Sequence, residues 1–314
     1  MMDRALRIAT RSSDLALRQA RIVEQLLVPR GVTCELVTYK TVGDKKLDEP
    51  LSGIGAKGLF TKELEADLLK GKVDCCVHSL KDLPTESPEG LVVIAVLERE
   101  DPRDVLVVSS RIDAESLDEI PRGSRIGTSS LRRRSLLLSI RPDLEVVDLR
   151  GNVPTRLKKV DEGQVHAAIL AAAGLHRLGA QQRITCYLQP PQWLPAAGQG
   201  AIAIQVRAED DTVAAIVGAL NHQATMRAVT AERSFLASLE GGCQVPIGAL
   251  VVGDEVHGFI GDIRGTRMIS GSVTLSEDAV ASGVKLADQL RERGATDVLA
   301  KLHRAISLPA PQPE

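Results

Sequence analysis

Leu6-Arg7-Ile8-Ala9-Thr10-Arg11-Ser12-Ser13-Asp14-Leu15-Ala16 holds the unit from which the fold is read. Leu6 to Thr10 is a short β-rich run, and Ser12 or Ser13 stands where a helix cap belongs. Beyond it Leu15, Ala16, Ile22, Val23, Leu26 and Leu27 recur at helical spacing, which predicts a helix from about Asp14 to Leu27. Thr33 to Tyr39 supplies the next strand, so the order is α/β. A helix near Lys62 to Leu69 and strands Val73 to Val77 and Leu91 to Leu97 complete a first lobe. From Asp104 the pattern restarts: strands Val105 to Val108, Arg125 to Thr128, Glu145 to Leu149 and Ala167 to Ala171, with helices from Leu131 and after Val153. Pro190-Pro191-Gln192-Trp193-Leu194-Pro195 marks a crossing, and Ala201 to Val206 is one more strand. A long helix from about Asn221, strands Ala249 to Val252, Val256 to Ile260 and Met268 to Leu275, and a helix within Ala279 to Arg293 form a separate α+β domain. The fold class is therefore α/β, two lobes followed by a C-terminal α+β domain. The proline-rich end from Leu308 to Glu314 continues neither helix nor strand.

Composition narrows the function. A net charge of −2 over 314 residues argues against a protein that coats nucleic acid or an anionic membrane, so any positive site is local. The start lacks an apolar stretch of signal-peptide length, and no run approaches the roughly 18 apolar residues of a membrane span; the expectation is a cytoplasmic protein. Five scattered cysteines do not make a disulfide framework. Cys75 and Cys76 belong to an apolar strand, Cys34 reads the same way, and six histidines without paired spacing give no metal site.

The fifth cysteine is framed differently. In Leu239-Glu240-Gly241-Gly242-Cys243-Gln244-Val245-Pro246 two glycines remove side-chain bulk before the thiol and a proline fixes the exit, so the sulfur can be presented at a turn. The same loop also reads as the close of a helix with an ordinary small apolar cysteine.

The loops after strands are the natural ligand sites of α/β lobes, and here they are cationic. Arg11-Ser12-Ser13 follows the first strand, and Gly53 to Phe60 is a glycine loop with Lys57 that lacks a Walker ending. Gly127-Thr128-Ser129-Ser130-Leu131-Arg132-Arg133 and Leu149-Arg150-Gly151-Asn152-Val153-Pro154-Thr155-Arg156 each place free backbone N–H groups and arginines at a helix start, an arrangement suited to an anion with several charges. Asp82, in His78-Ser79-Leu80-Lys81-Asp82-Leu83-Pro84, stands just past a strand, where a carboxylate can hold a ligand N–H or move a proton, or simply begin a turn. His78 reads equally as a core histidine or a ligand group.

Taken together, Arg11 to Ala20, Gly55 to Glu65, Val77 to Pro84, Gly127 to Arg133, Leu149 to Leu157, Ala197 to Ala201 and Leu239 to Gly248 resemble the porphobilinogen deaminases, also called hydroxymethylbilane synthases. The resemblance implies two periplasmic-binding-protein-like α/β lobes, residues 1–99 with 198–220 and residues 100–197, and a C-terminal domain, 221–314. It implies a dipyrromethane cofactor joined by a thioether to Cys243, and four porphobilinogen units deaminated and added in turn to give hydroxymethylbilane. Asp82 takes the catalytic place. Cofactor binders are Cys243, Lys81, Asp82, Ser13, Thr128, Ser129, Arg132, Arg133, Arg150 and Gly151, and substrate binders Arg11, Lys57, Phe60, Arg150, Arg156, Arg177 and Gln199. No metal, nucleic acid or membrane is implied, and the family is typically monomeric. Ala56, Pro154 and Gln205-Val206 depart from the family's commoner residues. A two-lobed binding protein for a polyanionic metabolite also accounts for the lobes and arginines, though not for the framed thiol; a thiol redox protein lacks a resolving cysteine near Cys243.

Overall fold

A computed structural model describes residues 4–41, 61–239 and 245–307. The first unit is as the sequence suggests: β1 (Leu6–Arg11), α1 (Asp14–Leu27) and β2 (Cys34–Tyr39). Ser13 is the cap, its hydroxyl oxygen accepting from the Ala16 N–H. The buried face of α1 is Ala16, Gln19, Ala20, Val23 and Leu27, while Leu26 is exposed. Ala16, Val23 and Leu27 of the expected stripe are thus buried and Ile22 packs against the same core, while Ala20 and Gln19 widen the buried face, Gln19 exchanging hydrogen bonds with Ser79.

The first lobe continues with α2 (Lys62–Leu69), β3 (Cys75–Ser79) and β4 (Leu91–Val96); the second holds β5 (Asp104–Val108), β6 (Arg125–Gly127), α3 (Leu131–Ile140), β7 (Glu145–Val147), α4 (Val153–Asp161), β8 (Ala167–Ala171), α5 (Ala172–Arg177) and β9 (Cys186–Leu188). After the crossing come β10 (Ile202–Arg207) and α6 (Asp211–Gly218). The two five-stranded sheets share one plan. Their orders are β2-β1-β3-β10-β4 and β7-β6-β8-β5-β9, each with four strands in one direction and one antiparallel strand inserted before the edge. The inserted strand is in both cases the one that follows a crossing: β5 after residues 97–103, β10 after residues 189–201. Each lobe therefore receives its antiparallel strand from the other.

The two crossings lie against each other. Leu97 N donates to Ile202 O at 3.0 Å and Glu100 N to Gly200 O at 3.2 Å. Gly200 adopts φ +89°, and a Cβ there would stand 2.3 Å from the Glu100 carbonyl, so only glycine permits the approach.

The third domain is an antiparallel sheet β11-β12-β13 (Ile247–Val252, Glu255–Gly261, Met268–Thr274) covered by α7 (Gln223–Ser238), α8 (Ala279–Glu292) and α9 (Ala295–Ser307). Gly283 lets α8 meet α7, since a Cβ would lie 2.3 Å from the Ala231 carbonyl. Fully buried Phe235 fills the space between helices and sheet. Leu250 and Phe259 join the core of the second lobe beside Trp193 and Leu194, which seats this domain on that lobe. Cys75 and Cys76 are buried on β3 and Cys34 is half-buried. Among the described residues no helix is long and apolar enough to cross a membrane.

Candidate active site

Parallel strands deliver their following loops to one end of each sheet, and the chemistry-bearing residues gather there. Strand β3 ends in a tight 3-10 turn, Leu80–Asp82, closed by Leu83 N–H on the Leu80 carbonyl. Asp82 is half-buried on that turn. The turn is held from the third domain: Arg233 of α7 donates to the carbonyls of Leu80 (3.4 Å), Leu83 (3.2 Å) and Pro84 (2.5 Å). Nothing in the helical spacing of Arg233 marked it for this role.

Lys81 donates to Gln199 Oε1 at 3.1 Å. Burial, with Arg133 adding to it, brings its ammonium down to about 8 against the pull of Asp82 and Asp104. Arg156 is brought down to about 10 by burial and by Arg133, again with Asp82 opposing, and its Nε donates to the Gly151 carbonyl at 2.8 Å. Arg150 acts on Arg156 as well. Lys81, Asp82, Arg133, Arg150 and Arg156 thus form one electrostatic constellation drawn from both lobes.

Arg132 and Arg133 occupy the first turn of α3, behind the cap Ser130. The sequence suggested guanidinium groups held toward an anionic ligand; both arginines are buried. Their partner is Asp104, the first residue of β5, which is 0 % exposed. Arg132 Nη1 lies 2.7 Å from one Asp104 oxygen; Arg133 Nη2 and Nε lie 2.8 and 3.1 Å from the other. Trp193 Nε1 and Gln199 Nε2 each add a bond of 2.8 Å. Burial pushes the Asp104 carboxyl up, but Arg132 and Arg133 overcome this and hold it well below the usual carboxylate range. An acid opening an apolar run, as in Asp104-Val105-Leu106-Val107, is the signal that could have revealed a paired buried charge.

Gln199 was expected to touch substrate. It is 1 % exposed, and its amide nitrogen serves both the Pro102 carbonyl (2.7 Å) and Asp104, so it braces neighbours instead. Arg177 was expected with the other binders. Its Nη2 meets the Gly200 carbonyl at 2.6 Å, and it lines a separate cavity of about 490 Å³ with Arg99, Glu100 and His222 on the crossings. His78 is a core histidine: it bonds to Gln205 at 3.2 Å, and burial lowers it to about 4, so it is neutral. Arg11, at the end of β1, is half-buried and acts electrostatically on His78.

Of the small donors, Ser13 is spent in part on capping α1, and Thr128 Oγ1 accepts from Ser130 N at 3.2 Å. Ser129 Oγ is buried with no hydrogen-bond partner among the described residues. Gly151 carries φ +111°, which turns the chain into α4 beneath Arg150. Cys243, Lys57 and Phe60 lie outside the described residues.

The arrangement is that of a polyanion site with a carboxylate set into it. Lys81, Arg132, Arg133, Arg150 and Arg156 gather here with two acids, Asp82 and Asp104, a cationic setting suited to carboxylates. Among the described residues the buried Ser129 hydroxyl has no hydrogen-bond partner. An acidic ligand with several carboxylates and N–H groups suits such a site.

Comparison with known proteins agrees in kind. The family model described as "Porphobilinogen deaminase, dipyromethane cofactor binding domain" matches residues 6–215, and that described as "Porphobilinogen deaminase, C-terminal domain" matches residues 226–292. Among solved structures the chain is similar to the methionine binding protein MetQ (15% identity, TM-score 0.44, 70% of this chain and 89% of that one). It is also similar to a periplasmic substrate-binding protein of an ABC transporter from Coxiella burnetii (16%, TM-score 0.43, 70% and 94%). A third is a methionine-binding lipoprotein, described as putative, from Bacillus subtilis (14%, TM-score 0.42, 70% and 92%).

Proposed function

The chain belongs to the porphobilinogen deaminase family, a transferase family of tetrapyrrole biosynthesis, and on that premise we propose that it deaminates four porphobilinogen molecules and joins them head-to-tail, releasing hydroxymethylbilane and ammonia. The observation that carries this reading is the setting of Asp82, an acid on a braced turn amid cations of both lobes.

The donor set fits a dipyrromethane. Cys243 would hold it by a thioether, with Lys81, Asp82, Ser13, Thr128, Ser129, Arg132, Arg133, Arg150 and Gly151 around its acidic rings. When bound, that group would supply the nucleophilic pyrrole carbon for the first addition, and the growing chain's free end the carbon for each later one. The remaining work is the chain's own. Arg11, Arg150 and Arg156, with Lys57 and Phe60, would bind the acetate and propionate of the incoming porphobilinogen, as guanidinium forks match carboxylates. An Asp82 oxygen would accept a pyrrole N–H, pass a proton toward the departing amine, and stabilise the cation left on the substrate. A fixed carboxylate beside a developing cation contributes several kcal/mol, on the order of a removed oxyanion-hole donor.

Strand pairing supports a division into 1–99 with 198–220, 100–197 and 221–314, because β10 lies within the first sheet. We also infer a cytoplasmic monomer with no metal requirement.

Purified protein given porphobilinogen alone is expected to form a product that closes, with loss of water, to uroporphyrinogen I and, once oxidised by air or added iodine, absorbs in the porphyrin region. A folded, cofactor-loaded protein that forms none overturns the reaction. Intact-mass measurement and peptide mapping are expected to place a two-ring adduct on Cys243; an active protein without it overturns the tether.

A further inference from the structure

The cations of the proposed site are organised by an acid that takes no part in the chemistry described so far. Asp104 begins β5 at the mouth of the first crossing, fully buried. Leaving water costs an isolated carboxylate several kcal/mol, so its donors must be in place. They come from two directions: Arg132 and Arg133 from the first turn of α3, Trp193 and Gln199 from the second crossing.

Gln199 carries this influence into the other lobe. Its amide nitrogen is committed to Pro102 and Asp104, so its oxygen is turned the opposite way, toward Lys81 Nζ at 3.1 Å. Lys81 adjoins Asp82 in sequence. The charged groups acting on Lys81 are Arg133, Asp82, Asp104 and Arg132, and all but Asp82 belong to the Asp104 cluster.

We propose that Asp104 is a positioning residue for this site: one buried carboxylate orients Arg132 and Arg133 in the second lobe and, through Gln199, fixes the Lys81 ammonium beside Asp82 in the first. The inference rests on the reading of Asp82 as the reacting carboxylate. It makes the cation set a single unit, in which Gln199 acts on substrate only through Lys81.

The test reads Lys81 directly. Full-length protein labelled with ¹³C-lysine is titrated by NMR, the Lys81 signal being assigned with Lys81→Arg. Wild type, Gln199→Met and Asp104→Asn are compared. Gln199→Met keeps side-chain length but removes an acceptor from the charged ammonium, so the Lys81 midpoint is expected to fall by about one unit. Asp104→Asn, which removes a nearby negative charge, is expected to move it the same way. With porphobilinogen, the alkaline limb of kcat/KM is expected to fall with the Lys81 midpoint, and KM to rise about tenfold while kcat changes less. A Lys81 midpoint unchanged or raised in folded Gln199→Met overturns the proposal, and that variant decides the matter if Asp104→Asn does not fold. The titration needs no turnover, so a protein inert toward porphobilinogen refutes the proposed reaction separately, without deciding the linkage to Lys81.

Discussion

Buried Glu232 and half-buried Arg99 form a two-pronged ion pair, Nη1 to Oε1 at 2.6 Å and Nη2 to Oε2 at 2.9 Å. It joins helix α7 of the third domain to the first crossing. The same carboxylate accepts from the Gly198 N–H (2.8 Å) on the second crossing and the Val251 N–H (3.0 Å) on β11. One side chain thus fastens the third domain to both connections between the lobes. Glu232→Gln removes the charge that matches Arg99, a charged hydrogen-bonded pairing worth about 1.5–3 kcal/mol. Glu232→Gln is therefore expected to lower the thermal unfolding midpoint by on the order of 5 °C or more, measured by calorimetry. A midpoint within a degree of wild type would show that the pair contributes little to cohesion.

Arg233, the next residue, bears on chemistry instead. Its three carbonyl acceptors bracket the turn that presents Asp82. Arg233→Met retains much of the apolar stem but no donor, so the turn is expected to loosen. Small misplacements of a reacting group cost as much as a hundredfold, and kcat with porphobilinogen is expected to fall about 10- to 100-fold in a protein that still folds. Unchanged kcat in a folded variant would remove Arg233 from the account.

Periodicity made the lobes legible. The strand-serine-helix unit at Leu6 to Leu27 and the apolar runs at Cys75 to Val77 and Ile202 to Val206 announce their elements locally. Strand β9, three residues long, is too short to show alternation, and α6 follows a strand without a distinct apolar stripe. The site was legible as a list of cations and one acid, because helix starts after strands mark anion sites. Its order was not. Asp104 is 28 residues from Arg132 and 95 from Gln199, so their convergence exists only in the folded chain. Glu232 and Arg233 read as ordinary polar positions of a helix for the same reason. Arg177 shows the converse: the resemblance set it among the binders, yet the carbonyl of Gly200 decides where its guanidinium lies.

Asp82 supplies the sharpest test of the reaction. Asp82→Asn keeps the shape of the side chain and removes its charge, so the turn and the cation set should persist. Turnover of porphobilinogen is expected to fall at least about 100-fold, while intact mass still shows the adduct on Cys243. Near-normal turnover would exclude a reacting role for this carboxylate.

His78 gives a pH dependence that is independent of catalysis. It is 6 % exposed, and burial, eased by its bond to Gln205, lowers it to about 4 from an ordinary 6.5. Above pH 6.5 the imidazole is neutral in folded and unfolded chains alike, and its environment costs nothing. As pH falls from 6.5 toward 4 the unfolded chain takes up a proton that the folded one refuses, so stability is lost across that window. The buried carboxylates Asp74 and Asp104 lie well below the usual range and add their own loss only at lower pH, after the unfolded chain's carboxylates begin to protonate near pH 4. Urea unfolding at pH 6.5 and 4.5 is expected to show wild type losing about 2–3 kcal/mol more than His78→Gln, which keeps a polar partner for Gln205 but cannot titrate. Parallel losses in the two proteins would mean that His78 is not held neutral by its burial.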